Sequence, residues 1–222
     1  MNTQRNDTSL MEILLPSNSV ANMQLADPDY IAFYQRLEDR EYLLTGEIDS
    51  GVVNDLIHWI RYWNKTDNHM GLAANKRLPI TILIDSPGGS TMQGMALHSV
   101  MKASKTPIMV VTLGSCASIS IPIYLGATPG MRYAFENSSF LIHDGTIMLY
   151  DSLNKSQDTI EFNRRLDDRY MQVILDNTDI TQEQYESKRR VEWWMLGDEA
   201  LQVGLVDHLV TDLCEIERDA NE

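Results

Sequence analysis

Hydrophobic and polar positions fall into a regular order from Tyr30 onward, and the order predicts an alternation of strands and helices. YLLTGEID (42–49) reads as a strand that ends in a turn. Val53, Leu56, Ile57, Ile60 and Trp63 then recur at helical spacing. KTDNHMGLAANKR (65–77) is a polar, glycine-containing loop. ITILID (80–85) is a short, nearly continuous apolar run that stops at SPGGS, as a buried strand does when it meets a turn. Met92, Met95, Ala96 and Val100 mark one face of a helix over 91–103, and IMVVTL (108–113) predicts a second buried strand. After GSCASIS comes a segment of helix length, then MRYAF and SFLI as two further strands. Beyond Asp151, Ile160, Phe162, Leu166, Tyr170, Val173 and Ile174 form an apolar stripe on a long helix. Its other face carries Asp158, Glu161, Arg165, Asp167 and Asp168. At ~20 residues such a helix extends ~30 Å. It either projects from the core or lies along the domain's own surface, and periodicity does not choose. LGDEALQVGLVDHLV (196–210) closes the chain with a short helix, a glycine turn and a last strand.

Strands alternating with helices predict an α/β fold with a largely parallel sheet. The 222 residues suffice for one well-buried core. Residues 1–29 are polar, with Pro16 and Pro28, and read as a flexible N-terminal arm. Residues 30–212 read as one domain and 213–222 as a polar C-terminal tail. Charge changes the picture further: 18 Lys and Arg against 32 Asp and Glu give −14. Such a surface repels phosphate backbones and anionic lipid, so neither nucleic acid nor a membrane is expected as a partner. Met11 and Ile13–Leu15, interrupted by Glu12, are too short and polar for a signal peptide, and no run reaches ~18 apolar residues. Cys116 and Cys214 make no disulfide framework and suit a reducing compartment. The expectation is a cytoplasmic protein.

The candidate chemistry begins with exclusions. The five histidines form no HxH or HxxxH spacing and neither cysteine has a CxxC partner, so no metal is expected. GxxxxGK[ST] and GxGxxG are both absent, and no nucleotide cofactor is expected. SPGG after a buried strand is either a plain turn or a place where free N–H groups await developing negative charge. Within GSCASISIPIY (114–124), Ser118 sits at an expected strand-to-helix turn, where a serine is commonly a cap but where an alkoxide-like charge is also stabilised. Ser115 and Ser120 read as packing. His143 ends the apolar strand SFLI and is followed by Asp144. Open α/β sheets gather ligands at the carboxyl ends of their strands, so SPGG, Ser118 and His143 are expected to converge.

SPGGSTMQGMALHSVM (86–101), GSCAS (114–118), NSSFLIHDG (137–145) and EALQVGLVD (199–207), in this order, resemble the proteolytic subunit family of the ATP-dependent Clp protease, ClpP. The resemblance runs from about Tyr34 to Leu209. Gly89 to Ser118 is 29 positions and Ser118 to His143 is 25, both matching the family without gaps. It implies a ClpP/crotonase-like ββα superhelix with a protruding handle helix (about 152–176, within a handle region of about 146–176). It implies a serine endopeptidase with Ser118 as nucleophile, His143 as general base, and the N–H groups of Gly89 and Ile119 as oxyanion hole. The implied partners are copies of itself in heptameric rings stacked as a tetradecamer, a AAA+ ATPase that unfolds substrates, and polypeptide substrates. The position of the family's aspartate, 49 residues past His143, holds Glu192 in RRVEWWML. A glutamate keeps a carboxylate for the imidazole and adds one methylene. Asp144 is the weaker choice, because adjacent strand residues point to opposite faces. The sequence departs from the family elsewhere too: Ile119, Ser120 and Pro122 follow the nucleophile, Gly145 replaces a proline, and Val191 replaces an arginine before the acid. The positions matching the walls of the family's ATPase-docking pocket, Thr81, Leu83, Ala103, Val111 and Leu113, include no aromatic. These departures motivate an alternative, a catalytically silent subunit that completes or regulates a mixed ring. A crotonase-type acyl-CoA enzyme would need no Ser118–His143 pair, and a signal peptide peptidase A relative would need a lysine base.

Overall fold

A computed structural model describes residues 28–216. The arm expected over 1–29 falls almost wholly outside the described residues, as does the tail beyond residue 216. Helix α1 (Pro28–Glu38) leads into strand β1 (Glu41–Ile48), helix α2 (Ser50–His69), β2 (Ile80–Gly89), α3 (Thr91–Ala103) and β3 (Ile108–Ala117). After β3 come the short α4 (Ser120–Tyr124), β4 (Arg132–Ala134), β5 (Ser139–Ile142) and the long α5 (Leu153–Asn177). The chain then forms α6 (Gln182–Lys188), β6 (Trp193–Leu196), α7 (Gly197–Gln202) and β7 (His208–Leu209).

The sheet runs β1-β2-β3-β4-β7, all parallel, with β5 pairing the second half of β3. β6 adds to β5 antiparallel. β3 therefore serves two neighbours: Val110–Thr112 pair with β4 and Ser115–Ala117 pair with β5. That handover carries the chain toward Ser118. Both β2 and β3 outlast their apolar runs. β2 was expected to stop at Asp85, yet Gly88 and Gly89 still pair with Glu47 and Ile48. The extra residue is taken up by a bulge on β2, where Ser86 and Pro87 face Gly46 alone, and the Ser86 hydroxyl bridges it by donating to the Gly46 carbonyl at 2.6 Å while accepting from Gly88 N–H.

Alternate residues of β2, Ile80, Ile82, Ile84, Ser86 and Gly88, are buried, whereas the first five residues of β3 are buried on both faces. Helix α2 starts at Asp49, whose carboxylate caps Val52 N–H at 2.9 Å. Its buried face runs Val53, Leu56, Ile60, Trp63 and then Asp67. The stripe thus drives a carboxylate into the core. Arg40, at φ +55 between α1 and β1, answers it with two bonds of 2.6 and 2.9 Å, and Thr106 adds a third at 2.7 Å. One buried ion pair thereby ties together the entrance of β1, the end of α2 and the loop before β3. On α5 only Tyr170 and Ile174 are buried, while Leu153, Ile160 and Phe162 are exposed. The C-terminal turns are therefore anchored and the N-terminal half is largely exposed. Arg132 pairs with Asp207 through two side-chain bonds and donates to the Asn177 carbonyl at 2.7 Å, holding the last turn of α5 against β4. No helix among the described residues is long and apolar enough to cross a membrane.

Candidate active site

Ser118 stands one residue past β3, at φ +56, one of two non-glycine residues with positive φ among those described. A left-handed conformation costs an L-residue ~1–2 kcal/mol and persists only where its surroundings over-determine it. Here they do. Ser118 N–H donates to the Leu141 carbonyl at 2.9 Å, which prolongs the β3–β5 pairing, and its carbonyl accepts from Ile121 N–H and from the Tyr170 hydroxyl. Of the two readings of this serine, that of a helix cap does not hold. Ser118 lies instead before the residue that caps α4, Ile119, so the strain sits on the serine itself. Ser118 is half-buried there, and the strained strand-to-helix turn aims its hydroxyl stiffly.

Gly88 of SPGG packs directly beside it. A Cβ on Gly88 would lie 2.7 Å from Ser118 Cβ and 3.3 Å from Ile119 N, so only glycine brings the β2 backbone this close. A Cβ on Gly89 would strike the Ile48 backbone, at 2.5 Å from its carbonyl oxygen. Gly94 on α3 makes the space for the Ile119 side chain, which a Cβ there would meet at 2.3 Å. A bulky residue after the serine is thus accommodated without moving the turn. Of the other small residues in the segment, Cys116 is fully buried and its thiol is pushed well up by desolvation, leaving it a poor nucleophile. Ser120 is fully buried and its hydroxyl has no hydrogen-bond partner.

His143 follows the last residue of β5 and shares one small cleft with Ser118, Ile119, Thr91 and Tyr170. Serine and histidine thus share one cleft, whereas SPGG reaches Ser118 through Gly88 and does not line that cleft. The cleft also takes in Asp144, although strand alternation predicted that it would face away. β5 has ended at Ile142, so the alternation no longer governs. Asp144 is engaged elsewhere: Arg189 Nε donates to its carboxylate at 2.8 Å, and its own N–H donates to the Arg189 carbonyl at 3.0 Å.

Glu192 precedes β6. The last pair of the antiparallel ladder is Ile142 with Trp193, so His143 and Glu192 are the residues next to it on the two segments. Both border a second cleft, with Arg189 and Arg190. His143 thus stands between the cleft of Ser118 and that of Glu192. Among the described residues no hydrogen bond joins His143 to either. The Glu192 carboxylate accepts one from the Trp194 indole N–H at 3.2 Å. Among the described residues no three or more His, Cys, Asp or Glu side chains are grouped to hold a metal ion.

Sequence reasoning missed Tyr170, Arg189 and Trp194. Tyr170 was counted in the apolar stripe of α5. Its signal was a phenol at a buried position, since such a hydroxyl needs a partner. Burial raises that phenol well above its ordinary pKa, so it stays protonated and donates. The bond of Arg189 to Asp144 joins residues 45 apart, which no local pattern announced, and that of Trp194 to Glu192 needed the segment to be seen as extended.

The sequence model of the family described as Clp protease matches residues 26–212. The chain is 26% identical over 188 residues to the ATP-dependent Clp protease proteolytic subunit of Lactococcus lactis subsp. cremoris, covering 82% of this chain and 88% of that protein. It is 23% identical over 189 residues to the protein of the same name from Streptococcus gordonii, covering 82% and 90%. Among solved structures, a ClpP1 mutant from Listeria monocytogenes matches the fold with a TM-score of 0.70 at 24% identity, over 82% of this chain and 96% of that one.

Proposed function

The chain belongs to the Clp protease family, whose role is proteolytic, and from that premise we propose that it is a serine endopeptidase acting through Ser118, His143 and Glu192. The observation that carries the reading is the place of His143, bordering the cleft of Ser118 on one side and that of Glu192 on the other. His143 takes the Ser118 proton as Oγ attacks a peptide carbonyl carbon. The oxyanion of the tetrahedral intermediate meets the N–H groups of Gly89 and Ile119. His143 then gives the proton to the departing amine as the C–N bond breaks, and a water deprotonated by His143 releases the acyl group from Ser118. Glu192 holds the imidazole tautomer and stabilises the imidazolium. Catalytic hydrogen bonds that are open in a free chain tighten in the working complex. That complex is a pair of stacked heptameric rings of ClpP/crotonase-like subunits, with α5 as handle, fed with unfolded polypeptide by a AAA+ ATPase.

A second reading, a catalytically silent member of a mixed ring, is favoured by the lack of a hydrogen bond between His143 and either Ser118 or Glu192 among the described residues. Hydrolysis of fluorogenic peptides by the purified protein, abolished by Ser118→Ala, is the expected result. Absence of cleavage in every assembly state supports the silent subunit instead.

A further inference from the structure

We infer that Trp194 is a positioning residue for peptide hydrolysis, its indole N–H holding one oxygen of Glu192 so that the other is presented to His143. The inference rests on the peptidase reading above. Residues 192 and 194 are two apart on an extended segment and so share one face, whereas Trp193 between them turns inward and packs on the core. The indole therefore stands beside the carboxylate by strand geometry alone. Its N–H reaches Oε2 at 3.2 Å, and among the described residues Oε1 takes no hydrogen bond or ion pair.

An acid one methylene longer than aspartate has an extra torsion to order before it can serve an imidazole, and a donor on the neighbouring strand position removes that freedom. Trp194 is itself placed by the ladder. It faces Leu141, whose carbonyl accepts the Ser118 N–H. Indole and serine thus both hang on Leu141 of β5, two residues before His143. Trp194 is half exposed, so a purely structural account would have it contribute little. It touches no substrate atom in this scheme and acts only through Glu192.

The test is a double-mutant cycle on the full chain, read as kcat and KM for a fluorogenic peptide together with fluorophosphonate labelling of Ser118. Trp194→Phe keeps the ring and removes the donor. It is expected to lower kcat about fivefold, the size of one lost hydrogen bond to a charged group at a partly exposed site, with KM unchanged. In a Glu192→Gln background the same change is expected to add nothing, because the carboxylate it serves is gone. Glu192→Asp, too short to reach the indole, is expected to show a similar fall and to be equally indifferent to Trp194→Phe, so the inference stays testable if one variant folds poorly. A wild type that labels and hydrolyses while Trp194→Phe matches it in kcat overturns this inference alone. Equal losses from Trp194→Phe with and without the Glu192 carboxylate also overturn it. A wild type that neither labels at Ser118 nor hydrolyses peptide overturns the peptidase reading and this inference with it.

Discussion

Replacing Gly88 by alanine should separate the reactivity of Ser118 from the stability of the fold. Gly88 adopts φ +99, where a side chain costs ~1–2 kcal/mol. The added Cβ would also lie 2.7 Å from Ser118 Cβ and 2.8 Å from the Ala117 carbonyl oxygen. Carbon atoms settle about 3.5–4.0 Å apart, so the serine must retreat by about 1 Å. A displacement of that size in a reacting group costs roughly a hundredfold in rate. Gly46→Ala is the control. Gly46 is at φ +77 with nothing within 4 Å of the added Cβ, so only the backbone cost applies. Both variants should lower the melting temperature, Gly88→Ala the more, but only Gly88→Ala should slow fluorophosphonate labelling, by roughly a hundredfold. Labelling of Gly88→Ala at a rate equal to that of Gly46→Ala would refute the idea that the SPGG backbone abuts the reactive hydroxyl.

Asp67→Asn leaves the Arg40 guanidinium without its carboxylate in the core and should cost about 3 kcal/mol at neutral pH, measured by denaturant unfolding. Burial raises the Asp67 carboxyl, but the hydrogen bonds from Arg40 and Thr106 and the charges of Arg40 and Arg77 outweigh it, and the group titrates below the ordinary carboxylate range. A depressed folded pKa gives stability that is fully present above the unfolded value of ~3.9 and is lost as pH falls through the folded one. Thermal melts of the wild type should therefore fall more steeply below about pH 4 than those of Asp67→Asn. Arg189→Gln removes the side-chain bond to Asp144 but keeps the backbone one, and because both side chains are partly exposed it should cost no more than about 1 kcal/mol by the same unfolding assay.

Much of the fold was legible because burial imposes its period. β1, β2 and β3 announced themselves as apolar runs, and α2 and α5 as stripes. What escaped notice lacked that signal. α6 buries only Tyr185 and so has no stripe to read. β6 is four residues behind a charged stretch and buries one of them, Met195, below the usual cut of alternation. The extensions of β2 through SPGG and of β3 through GSCA were hidden because glycine and serine mark turns by composition, while here bulge and positive φ keep them paired. At the site, strand-end position and motif spacing singled out Ser118 and His143 as candidates, and the two line one cleft. The left-handed serine and the tyrosine behind it depend on contacts between segments far apart in the chain, whereas the indole on Glu192 is a local contact that needed only the extended segment to be recognised. Asp67 is the instructive omission: its place on the buried face of α2 was visible in the spacing from Trp63, and a carboxylate there demands a cationic partner.

The central claim is that Ser118 is a nucleophile made reactive by His143. Mass-spectrometric mapping of the protein after treatment with a fluorophosphonate tests it most directly, with His143→Ala treated in parallel. The account predicts a phosphonyl adduct on Ser118 in the wild type and its loss in His143→Ala. An adduct on another serine, or one on Ser118 that forms equally fast without the imidazole, contradicts it.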